Sequence, residues 1–205
     1  MSKKIVAIVG TYRKGKVTDS ATSELLRGAE SRGVETEKIY LIDKHIEFCT
    51  NCRMCTQQRD AGRRGVCIHD DEMESILEAV DGADGLVLAS PANFYNITAV
   101  TRRFMERLIV YTYWPWQAKM GPEMRVKPPD KKAVTITATA CPAWLGRILI
   151  RGPRQALKIA AATMGAEVQT TLYYGAAAQT PDATLSKTEL EKAYKAGVRL
   201  ADALG

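Results

Sequence analysis

Ile5-Val6-Ala7-Ile8-Val9, followed by Gly10-Thr11-Tyr12-Arg13-Lys14-Gly15-Lys16-Val17-Thr18-Asp19-Ser20, is the stretch on which the reading of the fold turns. An unbroken apolar run suits a strand covered on both faces, as in a parallel sheet. The polar loop then leads into a segment with Asp19 or Ser20 as N-cap candidates, Ala21, Leu25, Leu26 and Ala29 on one face, and Gly33 as its stop. Strand, loop and helix in that order predict an α/β unit.

Working outward, the pattern repeats. Val34 to Leu41 reads as a second strand, more polar and so nearer an edge. Asp70 or Asp71 caps a helix with Met73, Ile76, Leu77 and Val80 at helical spacing and Gly82 at its end. Leu86 to Ala89 is the third strand, and Thr98 opens a helix with Val100, Phe104, Met105 and Leu108 inward. Ala133 to Ala138 and Val168 to Tyr174 are the fourth and fifth strands, separated by a helix marked by Leu157, Ala160, Ala161 and Met164 and ended by Gly165. Ser186 with Glu189 forms a capping box before a last helix carrying Leu190, Ala193, Val198 and Ala201. Five strands alternating with five helices predict an α/β fold: a doubly wound, five-stranded parallel sheet with helices on both faces, in the flavodoxin-like order 2-1-3-4-5. Residues 1–205 are expected to form one domain, with a cysteine-rich loop at 46–69 and an aromatic, proline-rich insertion at 111–130.

Composition agrees with one globular domain. The 205 residues are 46% apolar and 25% charged, which excludes a disordered chain, a collagen-like fibre and a disulfide-dense miniprotein. Ile5 to Val9 is too short for a signal-peptide core and no later run approaches a membrane span, so a cytoplasmic location without a membrane partner is expected. A net charge of +6 favours phosphate-bearing cofactors or acidic partners without requiring nucleic acid. The five cysteines are an odd number, and four fall between Cys49 and Cys67, a pattern that points to metal or redox chemistry rather than structural disulfides.

In a sheet of this order, ligands bind beyond the carboxyl ends of the strands, where the loops after strands one and three meet. Those loops are Gly10 to Ser20 and Ser90 to Ile97. The first puts hydroxyls, cations and free amides at a helix start, where the dipole favours a phosphate; it is neither a Walker A sequence nor a G-x-G-x-x-G fingerprint. Asp19 is an anion near this proposed anion site, and its side chain is expected to point away. The second loop offers backbone polar groups and the rings of Phe94 and Tyr95, beside which a flat ring system fits, and Thr139 to Trp144 walls the far side. The competing reading of Phe94, Tyr95 and Trp144 is that they cap the core.

Cys49, Cys52 and Cys55 form C-x2-C-x2-C, with Cys67 available as a fourth thiolate; this suits a [4Fe-4S] cluster, with zinc and unmetallated thiols as alternatives. The gap from Thr56 to Val66 is long and holds Arg59, Arg63 and Arg64, either to screen an anionic cluster, to receive an acidic electron carrier, or simply as a solvated charge run. Cys141 lies outside the pattern, and His45 and His69 are taken as surface or supporting residues.

Three stretches together carry a family resemblance: Ile5 to Ser20, Cys49 to Asp71, and Ser90 to Arg107. The chain resembles the flavodoxin-like NADPH-dependent FMN reductase family, and especially its iron-sulfur flavoprotein branch. The resemblance implies FMN with its phosphate at Thr11, Arg13, Lys14, Thr18 and Ser20, and its ring against Pro91, Ala92, Asn93, Phe94 and Tyr95, walled by Thr139, Ala140 and Cys141. It further implies a [4Fe-4S] cluster on Cys49, Cys52, Cys55 and Cys67. The expected function is an FMN-dependent oxidoreductase, a homodimer or homotetramer, that passes electrons from NAD(P)H or ferredoxin to a quinone or other small oxidant. The flavin carries the chemistry, so no protein acid or base is assigned a catalytic role. A bare electron carrier on the same scaffold is the first alternative. A zinc-stabilised nucleic-acid-binding module using Arg59, Arg63, Arg64, Arg102, Arg103 and Arg107 is the second. The insertion, Tyr111-Thr112-Tyr113-Trp114-Pro115-Trp116 onward, is read as an oligomer contact, a cover over the flavin, or a satellite core.

Overall fold

The computed structural model describes residues 2–205. Its main sheet is parallel and five-stranded, built from β1 (Lys4–Val9), β2 (Glu35–Tyr40), β3 (Gly85–Ala89), β6 (Lys131–Ala138) and β7 (Ala166–Tyr174) in the order β2-β1-β3-β6-β7. Counting these strands alone, that is the order 2-1-3-4-5 expected from the sequence. The apolar run of β1 behaves as a doubly covered strand must, because successive side chains leave opposite faces. Ile5, Ala7 and Val9 join the core beneath α1 (Val17–Glu30) and α6 (Lys187–Asp202). Val6 and Ile8 join the core beneath α2 (Met73–Asp81), α3 (Ala99–Arg107) and α5 (Gly152–Thr163).

Helix ends bear out two sequence readings and correct two. Thr98 accepts from the Thr101 amide as the N-cap of α3, and Ser186 with Glu189 makes the expected capping box on α6. Neither Asp19 nor Ser20 caps α1, which begins earlier, with Lys16 as N-cap. Asp19 instead lies within the first turn, where its carboxylate accepts the amide of Gly15, a residue still outside the helix, at 2.6 Å. Similarly α2 starts at Met73, with Asp71 accepting the Met73 amide from outside the helix.

The chain has six α-helices among the described residues, not five, since β6 and β7 are joined by both α4 (Ala143–Leu149) and α5. In α4 only Gly146 is buried, while Trp144, Ile148 and Leu149 are exposed, so no buried stripe announced it. The insertion also carries regular structure: β4 (Thr112–Tyr113) pairs antiparallel with β5 (Glu123–Met124). Among the described residues no helix is long and apolar enough to cross a membrane.

Candidate functional site

The loops after β1 and β3 are pinned together before any ligand is considered. Gly10 donates its amide to Ala89 O at 2.8 Å and accepts the Thr98 hydroxyl on its carbonyl at 2.6 Å. The Thr98 and Thr101 hydroxyls are 2.7 Å apart, and Thr101 continues to Ser90 Oγ at 3.2 Å. This buried chain leaves no room for a side chain at position 10: a Cβ there would lie 1.8 Å from Thr101 Oγ1. Glycine is therefore what lets β1 end against α3.

Above this knot lies a crevice of about 260 Å³ at the carboxyl edge of the sheet. Of the residues expected from the sequence, Thr11, Arg13, Thr18, Pro91, Ala92, Asn93, Thr139 and Ala140 line it. Lys14, Ser20, Phe94, Tyr95 and Cys141 stand outside it. Lys14 turns to Asp43 and the Tyr40 ring, and Ser20 donates to Gly15 O at 3.0 Å. Phe94 and Tyr95 project into solvent from a left-handed turn, with φ of 45° and 65°, and meet each other edge to face. Cys141 Sγ lies 3.5 Å from Thr139 Oγ1.

The crevice also takes in Tyr12, Lys16, Val17, Ala138, Ala177 and Ala178. Lys16 was visible in loop one as a cation at the helix start. Ala177 and Ala178 follow β7, and nothing in two alanines signals a site.

The electrostatics favour an anion here. Arg13 and Lys16 supply positive charge, the first-turn amides of α1 lack intrahelical acceptors, and no carboxylate lines the crevice. Lys16 rests against the exposed Asp182 at 2.6 Å, outside the lining. Asp19 is turned away as expected, buried behind the loop with Oδ1 bonded to Lys38 Nζ at 3.0 Å and Tyr40 OH at 2.8 Å. Burial pushes its carboxyl up, but the Gly15 amide, Lys38 and Tyr40 outweigh burial and hold it below the usual carboxylate range. A negative group thus organises the loop without opposing an anionic ligand.

A second cavity, about 210 Å³, is lined by all four clustered cysteines, Cys49, Cys52, Cys55 and Cys67, together with Arg53, His69, Arg107 and Trp114. All five cysteines are unpaired. Asn51 and Arg53 adopt left-handed backbone, φ 55° and 58°, which folds the C-x2-C-x2-C segment back on itself. Burial, followed by the proximity of Cys67, Cys49 and Cys52, pushes the Cys55 thiol up to about 11. Among the described residues no group of three or more His, Cys, Asp and Glu side chains is already arranged to hold a metal ion.

The long gap between Cys55 and Cys67 closes through Gly65, where a Cβ would meet Cys55 O at 1.8 Å, and whose amide donates to Val110 O at 2.8 Å. Arg63 and Arg64 are not a solvated charge run. Both pair with Asp81, Arg63 also with Asp130 and Arg64 with Glu74, and their side chains are 26% and 15% exposed. Tyr111 OH completes the Asp81 knot at 2.8 Å.

The insertion covers the cysteines, not the crevice. The Arg53 guanidinium lies 3.6 Å from the Trp114 ring and 4.3 Å from the Trp116 ring and donates to Trp114 O at 2.7 Å. The Trp114 amide donates to Thr56 O at 2.9 Å, and Arg125 donates to Arg59 O and Gln58 O. Of the three readings of the insertion, a cover over the crevice is corrected: no residue of 111–130 lines the crevice, while Trp114 walls the cysteine cavity. His69 is likewise a cavity residue, while His45 is exposed beside Glu47. Beneath the cavity, Arg107 forms an almost fully buried pair with Asp71 at 2.6 Å and donates to Glu47 O at 2.9 Å. Burial raises the Asp71 carboxyl, and Arg107 together with the Glu47 and Met73 amides more than reverses that.

Comparison with known proteins follows the same division. A family model described as NADPH-dependent FMN reductase matches residues 3–146, which run from β1 into α4 and include every residue lining the cysteine cavity and all those lining the crevice except Ala177 and Ala178. The chain belongs to this family. Among curated relatives, an iron-sulfur flavoprotein of Archaeoglobus fulgidus is 34% identical over 116 residues, 55% of this chain and 48% of that protein. One of Methanosarcina thermophila is 29% identical over 107 residues, 52% and 53% of the two chains. The chain spans about half the length of the curated relatives it matches. Among solved structures, an NAD(P)H:quinone oxidoreductase from Methanothermobacter marburgensis superposes with a TM-score of 0.73 at 14% identity, covering 98% of this chain and 100% of that one. An FMN-dependent NADH-azoreductase from Bacillus anthracis, in complex with FMN, gives 0.65 at 15% identity, covering 100% and 99%. At such identities these structures bear on the fold alone, and the fold is the flavodoxin-like one.

Proposed function

We propose that this member of the NADPH-dependent FMN reductase family is an FMN-dependent oxidoreductase acting as a single domain over residues 1–205. One observation carries the reading: the crevice is lined by Arg13, Lys16 and the first-turn residues Val17 and Thr18 of α1, with no carboxylate in its walls. That donor set suits the phosphate of FMN. Thr11 Oγ1 already accepts the Arg13 amide at 3.1 Å, so its O–H remains free to donate to the same anion. Thr18 adds a second hydroxyl. Pro91, Ala92, Asn93, Thr139 and Ala140 then form the walls that hold the flavin ring and exclude water from it. FMN, when bound, supplies the exchange between two-electron and one-electron chemistry. The chain's own work is to anchor the phosphate, orient the ring and tune its surroundings. Lys14, Ser20, Phe94, Tyr95 and Cys141 are left at the rim.

In the same reading NAD(P)H or ferredoxin delivers electrons and a quinone or other small oxidant receives them. Cys49, Cys52, Cys55 and Cys67 would hold a [4Fe-4S] cluster. The fit rests on four thiols around one cavity and on buried N–H groups beside them that have no acceptor in the protein. The exposed apolar side chains Phe94, Tyr95, Trp144, Ile148 and Leu149 favour a homo-oligomer.

Titration of the purified chain with FMN, before and after anaerobic loading with iron and sulfide, tests both parts. Tight FMN uptake with NAD(P)H oxidation in the presence of a quinone is expected. Failure of FMN to bind sinks the proposal, whereas flavin reduction without turnover to any acceptor leaves a bare electron carrier. Cys52→Ser should remove the cluster absorbance and keep the flavin; loss of both together would mean that the two sites are one.

A further inference from the structure

The cysteine cavity contains more than thiols. Five buried polar side-chain atoms lack a partner among the described residues, and three of them, Arg53 Nε, His69 Nε2 and Arg107 Nε, belong to residues that line this one cavity. A buried donor left unpaired costs about 1–3 kcal/mol, so three around one space call for an acceptor. Their other atoms do not supply one. Arg107 is 2% exposed, and its terminal nitrogens are engaged with Asp71 and Glu47 O, which holds the guanidinium in place while Nε stays free. Arg53 is held by Trp114 O, Pro115 O and the two indoles, again leaving Nε.

We propose that Arg53, His69 and Arg107 are positioning residues that donate hydrogen bonds from these nitrogens, His69 as the Nε2–H tautomer, to the sulfurs of an anionic group bound by the four cysteines. The inference rests on the cluster reading above and deepens it: the protein lays down the sulfur-facing donors as well as the ligands. Such bonds stabilise the more negative, reduced form and raise the reduction potential. They also explain why the arginines at these two positions are clamped from behind by carbonyls, a carboxylate and indole faces: the clamps engage Arg107 Nη1 and Nη2 and Arg53 Nη2, and neither takes up Nε. Because the clamps are independent of the cavity's contents, the donors are preorganised.

The test uses the full chain, loaded anaerobically with iron and sulfide, and reads iron content and the cluster's midpoint potential rather than turnover. His69→Phe should keep the iron content of the parent chain and lower the reduced-to-oxidised ratio at a fixed poise by about tenfold, or 59 mV for one electron. His69→Gln, which keeps an N–H at similar reach, should restore most of the ratio. Arg107→Lys, which keeps the charge but not Nε, should shift the potential in the same direction as His69→Phe. Unchanged potentials in loaded His69→Phe and Arg107→Lys overturn the inference alone. A parent chain that takes up no iron or sulfide overturns the cluster reading and this inference with it, while FMN binding to that same sample shows that the flavin reading stands apart.

Discussion

The crevice at the carboxyl edge and the cavity of the cysteines are of similar size, yet they are built by opposite means. The crevice is made by the sheet: β1, β3 and β6 deliver their loops to one rim, backbone groups do much of the bonding, and the knot of Gly10, Ser90, Thr98 and Thr101 locks it. The cysteine cavity has no strand behind its loop. It is held by side chains that reach in from far away in sequence, Arg107 from α3, Trp114 from the insertion and Asp81 from α2, the last through Arg63 and Arg64. A site made by topology tolerates side-chain changes, whereas a site made by side-chain clamps depends on each clamp.

The largest expected effect follows from that dependence. Arg107→Ala strands the Asp71 carboxylate in a buried position, at a cost of about 3–5 kcal/mol, read as loss of stability in denaturant. Hydrogen exchange should show the loss in the segment around Glu47 and Asp71. Replacing the pair together, Arg107→Met with Asp71→Leu, should recover most of it, since a packed apolar pair is often neutral. If the single variant is as stable as the parent chain, the clamp is not what holds the loop.

A matched pair of glycine substitutions separates the two regions next. Gly10→Ala drives a Cβ into Thr101 Oγ1 and Gly65→Ala drives one into Cys55 O, each at 1.8 Å. Overpacking of this kind costs about 1–3 kcal/mol. Gly10→Ala should weaken FMN binding and spare iron uptake, and Gly65→Ala should do the reverse. Equal losses of both ligands in both variants would mean that the two regions are not built independently.

Lys16→Ala is smaller. Removing one charge-assisted contact should cost about 1 kcal/mol, or roughly fivefold in FMN affinity. Riboflavin, which lacks the phosphate, should bind both proteins alike.

Acid is the perturbation that does not discriminate. Asp19 behind the crevice and Asp71 beneath the cysteines both have carboxyls held below the ordinary range, burial opposing and the hydrogen bonds and cations prevailing. A depressed carboxyl stabilises the fold above its unfolded value, near 3.8 to 3.9, and that stability is lost as pH falls through the lower folded value. Stability should therefore be flat, as far as these two groups act, from neutrality to about pH 5 and decline below about pH 4. A decline setting in near pH 6 would point to other groups.

The legibility of the two regions in sequence follows their construction. Ile5 to Val9 announced β1 because a doubly covered strand has to be apolar throughout, and Thr98 and Ser186 announced helix starts because their hydroxyls satisfy orphan amides locally. Loop one could be read as an anion site from its position between a strand and a helix. The helix α4 was missed because it buries so little, and Ala177 and Ala178 because small side chains leave no chemical trace. The insertion's aromatic residues were conspicuous, but what they cover was not, since Arg53 and Trp114 lie 61 residues apart and meet only in the folded chain.

Local pattern thus determined the strands, most helices, the strand order and the identity of the four clustered cysteines, because periodicity, capping and topological handedness act over short stretches or follow general rules of packing. Only the tertiary structure decided that Asp19 binds Lys38 and Tyr40, that Arg63, Arg64 and Arg107 are bound in ion pairs, that Gly65 closes the long gap, and that the insertion roofs the cysteines. Those outcomes depend on which distant side chains share a neighbourhood, and pairing of buried charges and donors is settled by three-dimensional proximity, which sequence spacing does not encode.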